Sequence, residues 1–185
     1  AMGRVDHTIS NSDRLFVRYF WDRFNYQPVL VSGNLLTYAS GAHIPYQNTA
    51  AHETHIFSSS VLNEASFSVM RERSLRGPPP NAPDAATFGV QNMWLPPTKG
   101  IESIGASGFF SIGDYQEGDF PRTNYAGSDD LRWVHGRQNL SFGGSFERSY
   151  FNVLNRLNQS GNFSFSGDAT GSALADFLLG RMRTF

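Results

Sequence analysis

Apolar and polar side chains alternate along most of this chain with a period of two, while helical periodicity is nearly absent. The clearest stretch is 139–151. Leu140, Phe142, Phe146 and Tyr150 share one face with Gly144 and Arg148, and Asn139, Ser141, Ser145, Glu147 and Ser149 share the other. Successive strand residues point to opposite faces, so the pattern predicts a strand with one mostly aromatic face and one small, polar face. Residues 14–24 repeat it, with Leu15, Val17, Tyr19 and Trp21 opposed to Arg14, Arg18 and Asp22. Residues 61–73 do so again, with Val61, Ala65, Phe67 and Val69 opposed to Glu64, Ser66 and Ser68.

Each long strand has a partner across a short, turn-rich connection, the signature of a hairpin. The connections are Asn11-Ser12-Asp13, the serines 58–60, and His135-Gly136-Arg137-Gln138, which gives hairpins over about 4–24, 50–73 and 121–150. Between them, 25–49, 75–120 and 151 onward are rich in Asn, Ser and Gly and include Gly77-Pro78-Pro79-Pro80, so they read as loops. Strand length then selects the setting. Strands of soluble sandwiches average about 5–6 residues, whereas a strand crossing a bilayer at a tilt needs about 9–11. The expected fold is therefore all-β: antiparallel hairpins with long strands, forming part of a transmembrane β-barrel. Residues 1–185 are taken as a single segment of that barrel. Phe142 and Phe146 should face lipid, and Ser141, Ser145 and Glu147 the other side. Periplasmic turns of such barrels are short and extracellular loops long, so 25–49 and 75–120 should face the medium. Within 101–112, Ile104, Ala106, Phe110 and Ile112 alternate, but Gly105 and Gly108 weaken a spanning strand. That stretch is expected to be a loop excursion or loop hairpin in contact with ligand or plug.

Composition narrows the classes. Sixteen Phe, 7 Tyr and 3 Trp give far more buriable surface than a disordered tract carries. The net charge is -1 and Lys99 is the sole lysine, so no basic stripe marks a nucleic-acid partner. The absence of cysteine excludes a disulfide scaffold, a thiolate metal site and a Cys nucleophile. No run approaches the roughly 18 apolar residues of a membrane helix, and the first residues do not show the charged-then-apolar pattern expected of a signal peptide.

Four stretches, in order, carry a family resemblance: 3–19 (Gly-Arg-Val-Asp-His-Thr-Ile-Ser-Asn-Ser-Asp-Arg-Leu-Phe-Val-Arg-Tyr), 62–71 (Leu-Asn-Glu-Ala-Ser-Phe-Ser-Val-Met-Arg), 129–148, and 161–167 followed by 173–180 (Ala-Leu-Ala-Asp-Phe-Leu-Leu-Gly). With them the chain resembles the barrel region of TonB-dependent outer-membrane receptors, in particular the Oar-like group. The resemblance implies a large closed barrel in the bacterial outer membrane with an N-terminal plug domain. It also implies energy supplied through the inner-membrane TonB complex and uptake of a small ligand at the cell surface. Implied partners are outer-membrane lipid, the remainder of the barrel, the plug and the TonB complex. No plug is visible in this chain, so it reads as an internal fragment. The aromatic at Phe185 is expected to mark a coincidental end rather than the closing strand of a barrel.

Chemical motifs are weak. His52-Glu53-Thr54-His55 lacks the one-turn helical spacing of a zincin, and on a strand its histidines point to opposite faces, so it reads as a solvated strand edge. Asp129 and Asp130 diverge for the same reason and suit a lumen or girdle. Gly105-Ala106-Ser107-Gly108 falls short of a nucleophile elbow. The sequons at Asn139, Asn158 and Asn162 carry no meaning in a bacterial barrel, and Pro78-Pro79-Pro80 reads as a stiff loop. Phe20, Trp21, Phe24 and Tyr26 are expected to join an interfacial girdle. In the rival reading, a soluble or surface-exposed β-sandwich that binds carbohydrate, the same rings stack on sugars. No catalytic, cofactor-binding or metal residue is assigned, no cofactor is expected, and the chain is not expected to be an enzyme.

Overall fold

The computed structural model describes residues 1–89, 91, 95, 99–113, 116–157, 159 and 161–184. Among them lie strands β1 (Met2–Thr8), β2 (Asp13–Tyr26), β3 (Val29–Val31), β4 (Asn34–Ala39), β5 (Gly41–Ser58) and β6 (Val61–Gly77). After a 3-10 turn at Ala85–Phe88 come β7 (Ser103–Ala106), β8 (Phe110–Ile112), β9 (Gln116–His135), β10 (Gln138–Phe151), β11 (Leu154–Leu157) and β12 (Asn162–Phe165), and then the helix α1 (Ala173–Leu178). The chain is nearly all antiparallel β.

The long strands form one sheet in the order β1-β2-β5-β6-β9-β10, and β11 pairs with the start of β9. β1 and β10 each have one neighbour in it among the described residues. Register carries the alternation across strands. Val5 sits opposite Val17, Phe142 opposite Leu131 and Ser141 opposite Arg132. Phe142 and Phe146 therefore share a face with Leu131, and Ser141 and Ser145 share the other with Arg132 and Ser128, as the alternation predicts. Gly127 lies opposite Phe146, and a Cβ at 127 would run into that ring.

The chain divides into two compact units. The first, Ala1–Arg23, Ile44–Arg73 and Phe120–Asn152, holds the hairpins. No buried hydrophobic side chain among the described residues belongs to it. Instead Val5, Tyr19, Phe67, Phe142, Phe146 and Tyr150 stand exposed. The opposite face carries the ion pair Arg132–Glu64 at 2.9 Å, His52 beside Glu64, and a Ser66–Ser128 hydrogen bond of 2.8 Å. A sheet with most of its exposed rings on one side and most of its ion pairs on the other suits an apolar solvent on the first and water on the second, with Asp129, bonded to Asn63, and the Asp13–His55 pair as polar groups on the aromatic face. A sandwich would cover the apolar face with a second sheet, and the described residues of this unit supply none.

The second unit, Phe24–His43, Ser74–Asp119 and Val153–Phe185, contains the buried apolar side chains. Here the loop expectations need correction. Residues 25–49 are not a loop: β2 continues to Tyr26, β3 and β4 form a hairpin, and β5 begins at Gly41. Its first half, with Pro45 and His43 among small residues, lacks the alternation that marks the rest. Residues 75–120 likewise include the end of β6 and the start of β9. The stretch 101–112 holds the small hairpin β7–β8, which pairs in parallel with β12 rather than with the long strands, in agreement with a loop hairpin. Beyond 151 the chain is ordered into β11, β12 and α1, the last too short to raise a helical period. Asn158 and Phe185 lie outside the described residues.

Candidate functional site

Two small clusters organise the second unit. Gly33, at φ +79°, lets β3 turn into β4, which brings Leu30, Leu35 and Tyr38 against Ala82 and Ile101. The Asp84 carboxylate starts the 3-10 turn, accepting from the Thr87 N–H at 2.9 Å and hydroxyl at 2.7 Å. These bonds, with Lys99 at 3.8 Å, hold Asp84 below the usual carboxylate range. In the other cluster Phe177 of α1 meets the edges of Phe110, at 5.0 Å, and Phe165, at 5.3 Å. The buried Asp176 ties α1 to the preceding loop by accepting from the Thr170 hydroxyl at 2.6 Å and the Ala169 N–H at 3.2 Å. The Thr170 bond, more than any other, lowers the Asp176 pKa.

Between these clusters lies a cavity of about 350 Å³, walled by Leu35, Phe88, Ile104, Ile112, Phe163 and Phe177. Among the described residues one ionisable group lines it. Glu102 is only 5% exposed, and its Oε1 has no hydrogen-bond partner among the described residues. Burial raises its pKa, its own backbone N–H opposes that, and the charge of Asp84 adds to the rise. The position of Glu102 is fixed by Gly113, at φ +75°, whose missing Cβ would collide with the Glu102 carbonyl. An apolar cavity of this size with a single polar group is the usual form of a small-molecule site.

In the first unit a polar recess of about 290 Å³ lies along β1, β2 and β5, with Arg4, Asp6, Arg14, Phe16, His52 and Thr54 on its wall. Arg4 pairs with Asp6 at 2.6 Å and stacks 4.1 Å over the Phe16 ring, which itself stacks on His52. His55 points the other way and pairs with Asp13, as the strand geometry requires. The expected strand edge at 52–55 is nevertheless wrong. β5 is an interior strand with β2 and β6 beside it, and all four residues are half-buried. Register also brings Glu53 close, so one ligand atom from each of Asp13, Glu53 and His55 lies within 4.8 Å of the other two. One nitrogen and two oxygens are a donor set for a divalent ion of the zinc type. Glu53 and His55 lie in the stretch read from the sequence as a solvated strand edge with no metal role, and only cross-strand register brings Asp13 to them.

Other expectations resolve simply. Asp129 accepts from the Asn63 amide at 2.7 Å and Asp130 lies on the opposite face, so they form no catalytic pair. Gly105-Ala106-Ser107-Gly108 ends β7 and turns into β8, with no helix after it. Pro79 is buried and its carbonyl accepts from the Ala82 N–H, which makes the proline run a packed turn. The girdle needs correction. Trp21 falls on the face of Val17 and Tyr19, but Phe20 falls on the other, where it meets the edge of Tyr46. By the same alternation Phe24 and Tyr26 follow Phe20.

Comparison with family models finds one that matches residues 1–185, described as an outer membrane beta barrel domain. Neither the curated proteins nor the solved structures yield a match.

Proposed function

The chain belongs to the outer membrane beta barrel domain family and so is a protein of the bacterial outer membrane, and from that premise we propose that it forms wall and ligand-receiving connections of a TonB-dependent receptor of the Oar-like group. Its role on this reading is capture and passage of a small ligand at the cell surface, with no covalent chemistry. The observation that carries the proposal is the division of labour along one chain. The sheet exposes an aromatic face and carries most of its ion pairs on the other, while the longer connections gather into a separately packed unit around a ligand-sized cavity. β2, β5, β6, β9 and β10 have 14, 18, 17, 20 and 14 residues, more than the about 9–11 needed to cross hydrocarbon. The ordered resemblance at 3–19, 62–71, 129–148, 161–167 and 173–180 supports the finer assignment. Its partners would be outer-membrane lipid, further barrel strands, a plug and, through the full-length protein, the TonB complex.

Spent-medium profiling tests this. Three strains are compared: the parent, one lacking the gene that encodes this chain, and one lacking TonB. A compound consumed by the parent and left behind by both mutants is the expected result. If no compound is shared by the two mutants, TonB-dependent uptake is refuted, while outer-membrane location stands on the family.

A further inference from the structure

We propose that Asp13, Glu53 and His55 bind one zinc ion, which clamps the start of β2 to β5 at the short-turn end of the sheet. The inference stands apart from the receptor reading and from the cavity of the second unit. Three observations carry it.

The first is convergence. Residues 53 and 55 fall on one face of β5, and the Ile56 N–H donates to the Ser12 carbonyl at 2.8 Å, which sets Asp13 alongside them. One ligand atom from each of the three residues lies within 4.8 Å of the other two. Ligand atoms around a tetrahedral zinc ion are about 3.4 Å apart, so the jointed Glu53 side chain has a gap of about 1.4 Å at most to close.

The second is an unpartnered carboxylate. Asp13 is engaged through both oxygens: His55 Nδ1 meets Oδ1, and the Ser10 hydroxyl donates to Oδ2 at 2.6 Å. Glu53, half-buried beside it, has no hydrogen bond or ion pair among the described residues. Alternation carries the neighbouring cation, Arg14, to the opposite face. Two carboxylates this close repel, and one imidazole offsets at most one of them. They also stand on the aromatic face of the sheet, where apolar surroundings strengthen both that repulsion and the attraction of each to a cation. A divalent ion meets both charges at once.

The third is preparation. The Ser10 bond fixes the Asp13 carboxylate, and the Phe57 ring packs 4.2 Å from that of His55, so two ligands are oriented before an ion arrives. The side chains of Asp13 and His55 are 26% and 32% exposed, which leaves the ion a route in. Binding requires His55 to carry its proton on the nitrogen that does not ligate. One imidazole nitrogen with two carboxylate oxygens selects zinc over magnesium and calcium, which take oxygen donors, and water completes the coordination.

The probe is zinc ion alone. The whole chain is folded into phosphatidylcholine nanodiscs, with empty nanodiscs as the blank, and binding is measured by calorimetry in millimolar magnesium, which occupies unselective carboxylates. One equivalent of zinc should bind, and X-ray absorption should show a nitrogen and oxygens at about 2.0–2.2 Å. At free zinc of about a hundred times Kd, the folding constant from urea unfolding should rise about 100-fold over that of the chelator-treated chain. Ser10→Ala should weaken binding about tenfold, and Glu53→Gln and His55→Gln by more, with loss of zinc's effect on unfolding. His52→Gln, on the opposite face of β5, should change neither. If a ligand variant fails to fold, the stoichiometry and absorption spectrum of the wild-type chain decide the matter alone. No zinc bound in the presence of magnesium, a spectrum without nitrogen, or unchanged affinity in Glu53→Gln or His55→Gln overturns the proposal.

Discussion

Arginine at position 146 should cost far more than arginine at position 145, although the two are neighbours. β10 has 14 residues, which at about 3.3 Å each and a tilt near 45° rise about 33 Å, more than the apolar band of about 25 Å. The strand midpoint falls between Gly144 and Ser145, so Phe146 lies within about 4 Å of the midplane. Its ring is 58% exposed and covers Gly127 on β9. Phe146→Arg places a guanidinium in hydrocarbon, for about 3 kcal/mol, or a factor of about 150 in the folding equilibrium. Ser145 sits opposite Ser128 on the polar face, so Ser145→Arg meets water and should stay within about 0.5 kcal/mol of wild type. Phe146→Leu separates loss of the ring from gain of the charge and should fall between the two. The assay is urea unfolding of the chain folded into bilayers, with midpoint and slope followed by tryptophan fluorescence. Equal losses from Phe146→Arg and Ser145→Arg, or a Phe146→Arg chain as stable as wild type, would refute the assignment of faces for the whole sheet.

Glu102 makes the second unit sensitive to base. Its raised pKa means that stability is complete while the carboxyl is neutral in both folded and unfolded chains, and is lost as the pH rises through the folded value. Glu102→Gln should therefore slow amide exchange around 101–112 at pH 7–8 and change nothing near pH 4; parallel profiles at both pH values would refute the cause. Asp176 has the opposite sign. Bonds from the Thr170 hydroxyl and nearby N–H groups lower its pKa, so its contribution is full above the ordinary carboxylate value and vanishes as the pH falls through the lowered one. Asp176→Asn should speed exchange in 173–178 at pH 7 and flatten its acid dependence. An unchanged rate at neutral pH would count against the anchoring role.

Period-two alternation made the sheet legible, because a face is a local property: Ser141, Phe142, Ser145 and Phe146 declare their sides without knowledge of any neighbour. What alternation could not supply was extent. β5 begins at Gly41 through a stretch whose Pro45, Gln47 and Thr49 obscure the period, and α1 is six residues long, less than two turns. The sites were hidden for a different reason. Asp13 joins Glu53 and His55 through cross-strand register, although it lies 40 and 42 residues before them in sequence. Glu102 belongs to no sequence motif, and the cavity it lines is shared with Phe163 and Phe177 far along the chain. The stretch 101–112, expected to contact ligand or plug, does supply Glu102, Ile104 and Ile112 to this cavity, while the resemblance itself assigned no ligand-binding residue.

The second unit is drawn from three separate passages of chain, Phe24–His43, Ser74–Asp119 and Val153–Phe185, with the β5–β6 and β9–β10 hairpins in the intervals. Leu35 comes from the first passage, Glu102 and Ile104 from the second, Phe163 and Phe177 from the third. A chain emerging from its N-terminus can close each hairpin from local contacts as it arrives, but it cannot enclose the cavity until the last passage has been delivered. Capacity to hold a ligand is therefore the final event of assembly. A wall that stalls before β12 is present has no pocket to offer, so an unfinished copy remains empty.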